Sequence, residues 1–264
     1  MTRSKSSRTL PAEWAPQSGV MLTWPHAHGD WATHLDAVEQ VYLQLAQTIC
    51  LHELLLVICH DPEHQTHVQR LLDSVEIDPS RIRFARQASN DSWARDHGPI
   101  TVSENGQPRL LDFQFNGWGN KYPHDLDNRI TAGLHAAGLF GATPLESHQL
   151  VLEGGSIDSD GEATLLTTRA CLGHPGRNPR LSLADIEQQL KQLLGVERIL
   201  WLEQGELVGD DTDSHIDMLA RFCNPRTIAH SACTDPNDEH FASLAAMQQE
   251  LATLRRGIGR ATRS

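Results

Sequence analysis

Short apolar, β-branched runs alternate with longer amphipathic stretches along nearly the whole chain, and this alternation limits the fold class more than any other feature of the sequence. GVMLTW (19–24) reads as a strand. From Trp31 to Cys50, Leu35, Val38, Tyr42, Leu45 and Ile49 recur at three- and four-residue steps, the spacing of a helix with one buried face. ELLLVIC (53–59) is continuously apolar, as a strand covered on both faces must be, and Asp61 with Pro62 suits the N-cap and first turn of a helix reaching Leu72. RIRFA (81–85), PITV (99–102), RLLDFQF (109–115), ATLLTT (163–168), RILWL (198–202), MLARF (218–222) and TIAH (227–230) read as further strands. Helices are predicted around 127–137, 182–194 and 238–254. Four rounds of strand, strand, helix and strand emerge, an α/β class with internal repetition whose rounds do not match in sequence.

A chain of 264 residues suits a single domain over 1–264, and a formal net charge of -12 argues against a sequence-independent grip on nucleic acid. The longest apolar run, LLLVIC (54–59), is too short to span a bilayer, and no apolar segment follows the basic start, so a cytoplasmic protein without membrane contact is expected. Five cysteines without a CxxC pair suggest reduced thiols. RRGIGRATRS (255–264) has four arginines, no acid and no periodicity, and reads as a disordered basic tail.

GDDTDSHIDMLARF (209–222) crowds Asp210, Asp211, Asp213, His215 and Asp217 into eight positions. With SHIDML as a strand, His215 and Asp217 share a face; on a helix they would stand about 200° apart. Asp210, Asp211 and Asp213 fit either a solvated turn or a site. In NDSWARDHGP (90–99), Trp93 lies three positions before Asp96, and an aromatic wall beside a carboxylate suits a flat organic cation. FNGWGNKY (115–122) brackets a Trp with glycines, and LEGGSID (152–158) sets Glu153 before a Gly pair; each is weak alone.

Taken in order and spacing, WARDHGP, FNGWGNKY, LEGGS, CLGHPGRNP (171–179) and DDTDSHIDMLARF resemble the agmatine deiminase family, related to bacterial peptidyl-arginine deiminases, from about residue 10 to about 254. The resemblance implies an α/β propeller (pentein fold) of five pseudosymmetric ββαβ modules, about four of them present here. It also implies hydrolysis of a guanidinium to a ureido group with release of ammonia, without metal or organic cofactor. Carried over by position, Asp96 and Asp217 would hold the guanidinium, His215 would be the general acid and base, Glu153 would orient its imidazole, and Trp93 would wall the pocket, with Asp211 a further substrate contact. Two carboxylates match the planar N–H forks of a permanently charged guanidinium, and the ordinary imidazole pKa suits both proton transfers.

The family's nucleophile is a Cys in a C-terminal GGxxHC-type stretch, and this sequence contains none. Cys171, with His174 nearby, is the best substitute among Cys50, Cys59, Cys171, Cys223 and Cys233. The resemblance ends near Arg255, so a truncated chain, with uncovered sheet faces that favour homo-oligomers, is expected. Agmatine, converted to N-carbamoylputrescine, is the expected substrate. The competing readings are a peptidyl-arginine deiminase-type hydrolase, an inactive guanidine or polyamine binder, and a divalent-metal site built from Asp210, Asp211, Asp213, His215 and Asp217.

Overall fold

The computed structural model of the chain describes residues 8–258. Three parallel strands, β1 (Gly19–Thr23), β2 (Leu54–Cys59) and β3 (Ile82–Arg86), form the first sheet with β2 central; α1 (Leu35–Cys50) and α2 (Pro62–Asp73) make the crossovers. Leu55, Val57 and Cys59 pack with Trp24, Leu43, Ala46, Val68 and Leu72 on one face of this sheet. Ile58 and Ala85 pack with Ile130 and Leu134 on the other. The unbroken apolar run of β2 is thus explained by burial on both sides. The carboxylate of Asp61 accepts the backbone N–H of His64 at 2.8 Å and caps α2 as expected.

The next two sheets each follow the order hairpin, helix, parallel strand. In the second, β4 (Ile100–Glu104) and β5 (Gln107–Gln114) are antiparallel, α3 (Ile130–Ala136) follows, and β6 (Leu145–Val151) returns parallel to β5. The short strand Arg8–Thr9 adds to the β4 edge. In the third, β7 (Ile157–Ser159) pairs antiparallel with β8 (Thr164–Thr168), and β9 (Arg198–Leu202) returns parallel to β8 after α4 (Leu183–Leu194). Ser182 and Asp185 form a reciprocal capping box at the start of α4. The fourth sheet is the hairpin of β10 (Ala220–Asn224) and β11 (Thr227–His230), followed by α5 (Phe241–Ile258). No helix among the described residues is long and apolar enough to cross a membrane.

Three expectations are corrected. SHIDML is not a strand: Ile216–Leu219 forms one helical turn and the strand starts at Ala220. Asp213 and Ser214 adopt left-handed φ values of 65° and 68°, and the Asp210 carboxylate accepts the backbone N–H groups of Thr212 and Ser214 at 2.8 and 2.7 Å, so the chain is turned before it can extend. Ile216 and Leu219, three positions apart, then both enter the core beneath α5, which a strand would not allow. The strands β6 and β7 are additional; LESHQLV is mostly polar and IDS has three residues, so neither carries a period-2 signal. The helix α5 continues to Ile258, into the segment expected to be a disordered tail, because a helix anchored by Leu244, Met247 and Leu251 extends at little cost. The remainder of that segment, 259–264, lies outside the described residues.

Candidate active site

Three loops meet over one backbone position. A Cβ placed on Gly155 would sit 2.6 Å from His215 Nδ1, 2.7 Å from Asp217 Oδ2 and 2.7 Å from Asp96 Oδ1. Only a residue without a side chain leaves that space open, so the Gly pair of LEGGS, weak as a sequence signal, is the floor of the site.

Asp96 lies in the helical turn Ala94–His97 and is buried. Its Oδ1 accepts the Gly155 N–H at 2.9 Å and its Oδ2 accepts the indole N–H of Trp118 at 3.1 Å. Burial raises its pKa to about 7, with the neighbouring charges of Glu153 and Asp217 adding to the shift and the two hydrogen bonds opposing it. Burial likewise raises Asp217, against the fields of Arg95 and Arg221. The pair therefore consists of carboxyl groups that ionise with reluctance and that a cation would favour in the charged form.

His215 precedes the turn Ile216–Leu219 in extended conformation, with φ -54° and ψ 137°, so the 200° separation of helical neighbours does not apply and it meets Asp217 over Gly155. Its Nδ1 stands 3.8 Å from Asp96 Oδ1, beyond hydrogen-bond range, and its buried Nε2 has no partner. Burial first, and then the Arg177 charge, lower its pKa to about 3. The imidazole is therefore held neutral, whereas the sequence alone suggested an ordinary value.

Glu153 is fully buried, but its carboxylate is not bonded to His215. Both of its oxygens accept from Arg177 Nε, at 2.9 and 3.1 Å. Arg177 also donates through Nη1 to Asp213 Oδ2 and through Nη2 to the Thr212 carbonyl, each at 2.7 Å. Arg177 is thus the residue that fixes the loop bearing His215, and sequence reading missed it. A lone Arg between glycines and prolines in CLGHPGRNP gives no sign that it will be buried.

The acidic run sorts by role. Asp210 is a turn former. Asp213 receives Lys121 Nζ at 2.6 Å as well as Arg177. Asp211 is exposed and receives the Tyr122 hydroxyl at 2.5 Å, while its carbonyl receives Lys121 Nζ at 2.7 Å, tying the loop to FNGWGNKY. These commitments do not fit the metal reading of the aspartates. Among the described residues, the group able to surround an ion is Glu153, Cys171 and His215, within 4.8 Å of one another, and Glu153 there is already held by Arg177.

Trp93 is 38% exposed and meets buried Trp118 edge to face, with ring centres 5.3 Å apart. Trp118 sits in a run of four left-handed residues, Gly117, Trp118, Gly119 and Asn120, at φ 60°, 54°, 88° and 65°. For a tryptophan this costs on the order of 1–2 kcal/mol, and it brings the indole N–H onto Asp96. The flanking glycines of NGWGN were the available signal. Of the thiols, Cys50 and Cys59 are buried, and burial pushes Cys59 up to about 12. Cys171 is buried beside Glu153 and is held well above the ordinary thiol range, which removes it as a thiolate nucleophile. Cys223 is exposed and Cys233 half-buried in and after the fourth sheet.

A family model described as Porphyromonas-type peptidyl-arginine deiminase matches residues 9–263. The agmatine deiminase of Stutzerimonas stutzeri is 34% identical over 261 residues, covering 96% of this chain and 68% of that protein. The agmatine deiminase of Pseudomonas syringae pv. tomato is 32% identical, covering 96% and 68%. In structure, a cysteine-to-serine variant of the C. jejuni agmatine deiminase with substrate bound superposes with a TM-score of 0.86 at 36% identity, covering 94% of this chain and 71% of that one. The Enterococcus faecalis agmatine deiminase gives 0.83 at 29%, covering 95% and 69%. The chain thus spans about two thirds of the length of these relatives. Its sheets are those of the α/β propeller, or pentein, fold, and the chain belongs to the Porphyromonas-type peptidyl-arginine deiminase family.

Proposed function

We propose that this chain carries the guanidinium-binding and proton-transfer groups of an agmatine deiminase-type hydrolase, which converts agmatine to N-carbamoylputrescine and ammonia. The observation that carries the reading is the convergence of Asp96, Asp217 and His215 over the bare backbone of Gly155. A guanidinium entering there offers planar N–H donors to two carboxylates that have no lysine or arginine ion-pair partner among the described residues, and each charge-assisted bond contributes about 1.5–3 kcal/mol. Agmatine is favoured over arginine because the basic groups nearby are already paired: Arg177 with Glu153 and Asp213, Lys121 with Asp213, and Arg95 with Glu13. Among these cations none is left unpaired to receive the α-carboxylate of arginine.

His215 begins neutral, so its role starts with proton acceptance. Its unpartnered Nε2 takes the proton of the attacking thiol and passes it to the departing amine as ammonia, then takes a proton from the water that hydrolyses the thiouronium. None of the five cysteines of this sequence fits the role of that thiol. Cys50, Cys59 and Cys171 are buried, and Cys223 and Cys233 belong to the fourth sheet and the loop after it. The expected behaviour of the 264-residue chain is therefore binding without turnover. Isothermal titration with agmatine, beside an ammonia-release assay, tests both halves. Multiple-turnover ammonia release would refute the assignment of the thiol, and absence of agmatine binding would refute the site.

A further inference from the structure

Apart from the groups that meet over Gly155, the first described residues of the chain reach the loops that carry Asp96 and Asp217. Leu10 and Ala12 are buried: Ser159 Oγ donates to the Leu10 carbonyl at 3.0 Å, and a Cβ placed on Gly161 would sit 3.1 Å from that of Ala12. The residue that follows this anchor is Glu13. Its Oε1 accepts Arg95 Nη2 at 2.9 Å and stands 3.3 Å from Arg221 Nη2. One carboxylate oxygen thus joins the residue before Asp96 to a residue of β10 four positions after Asp217. Arg221 Nε also lies 3.4 Å from Asp158 Oδ1, while Asp158 Oδ2 accepts the Phe222 N–H at 2.6 Å.

Two arginines therefore stand among three carboxylates: Glu13, Asp158 and Asp217. Of the charges around Asp217, Arg95 and then Arg221 act most strongly to ionise it, Asp210 opposes them, and Asp96 and His215 face it over Gly155. Among the described residues neither arginine is ion-paired with it; Arg95 is held by Glu13, and Arg221 by Glu13 and Asp158. An arginine is permanently charged and shaped to grip a carboxylate through two N–H donors, so a released one would offer Asp217 the same group that the ligand brings. As a source of stability these pairs count for little, because the Glu13, Arg95 and Arg221 side chains keep 43, 44 and 34% of their surface exposed. Where they hold the arginines matters more. We infer that Glu13 is a positioning residue for ligand binding: it keeps the chain's own guanidiniums off Asp217 and so reserves that carboxylate for the guanidinium of the ligand. This role presupposes that Asp217 binds the ligand, as proposed above. Arg221 retains Asp158 when Glu13 is neutralised, so Arg95 is the arginine released.

Two measurements test this: calorimetric titration with agmatine, and carboxyl-carbon NMR of Asp217 against pH in the ligand-free chain, its signal assigned by loss in Asp217→Asn. Glu13→Gln is expected to weaken agmatine about fivefold or more and to lower the Asp217 midpoint by about half a pH unit or more, as a cation drawn onto a carboxylate does. Adding Arg95→Gln removes the competitor and is expected to restore both, whereas a merely structural defect would not be repaired by deleting a second charge. Arg95→Gln alone is expected to raise the midpoint without weakening agmatine, and it decides the matter if Glu13→Gln does not fold. The role of Glu13 is overturned by an unchanged midpoint in Glu13→Gln, by a midpoint that Arg95→Gln does not restore, by an unchanged midpoint in Arg95→Gln alone, or by a Glu13→Gln chain that binds agmatine as the parent does. A parent chain that binds no agmatine strikes the proposed function instead, and the midpoints still decide whether Glu13 keeps Arg95 off Asp217.

Discussion

Agmatine binding should be driven by pH through Asp96, and the size of the effect follows from its surroundings. Burial holds the Asp96 pKa at about 7. A guanidinium binds the ionised form, so below that value each binding event must expel a proton. The apparent dissociation constant then scales as one plus the ratio of protonated to ionised carboxyl, which weakens affinity about tenfold between about pH 8 and pH 6. Burial raises Asp217 too, so it adds in the same direction. Titration calorimetry in two buffers of different ionisation enthalpy counts the protons: close to one released per agmatine at about pH 6, and about a tenth of one at pH 8. Asp96→Asn should flatten this dependence while weakening binding at pH 8 by about ten- to a hundredfold, the value of one charge-assisted hydrogen bond. Equal heats in the two buffers at pH 6, with unchanged affinity, would refute the assignment of a protonated Asp96 before agmatine binds.

The same carboxyl links pH to stability. The folded chain keeps its proton up to about pH 7, whereas the unfolded chain releases it near 3.8, so its contribution to stability is lost as pH rises across that window, by roughly 4 kcal/mol in total. Asp96→Asn should therefore melt above the parent at pH 8, with the advantage shrinking toward pH 5, as scanning calorimetry would show. Arg177→Met leaves Glu153 buried and unpaired and should cost about 3–5 kcal/mol in urea unfolding. Adding Glu153→Gln to it should recover part of that loss. Gly155→Ala places a methyl among His215, Asp217 and Asp96 and should abolish agmatine binding in calorimetry while the far-ultraviolet dichroism stays that of the parent. A thiol reagent should modify Cys223 readily and Cys233 more slowly in the native chain, with Cys50, Cys59 and Cys171 reacting only after unfolding.

What the sequence disclosed divides along physical lines. Elements with strong periodicity or end signals were legible: the doubly covered β2, α2 with its Asp61 cap, and α4 between Ser182 and Gly195. The edge strands β6 and β7 were not, because their residues are set by neighbours rather than by alternation. The residues gathered at the site were flagged through motif resemblance, but the local conformation argued for His215 and Asp217 was wrong. Two left-handed residues and one Asx-type turn decided it, and neither leaves a hydrophobic pattern. Arg177 stayed hidden for a related reason: its burial is created by Glu153 and Asp213, which lie 24 and 36 residues away.

That clamp ties the timing of folding to the competence of the pocket. Arg177 joins the connection from β8 to α4 in the third sheet's unit to the approach of the fourth, and Asp96 arrives from before the second, so no single sheet owns a partial binding site. Until all three have docked, the chain offers isolated acids to water. Ligand affinity should therefore switch on in one step with tertiary closure, which makes agmatine a reporter of completed assembly and, by mass action, a stabiliser of it.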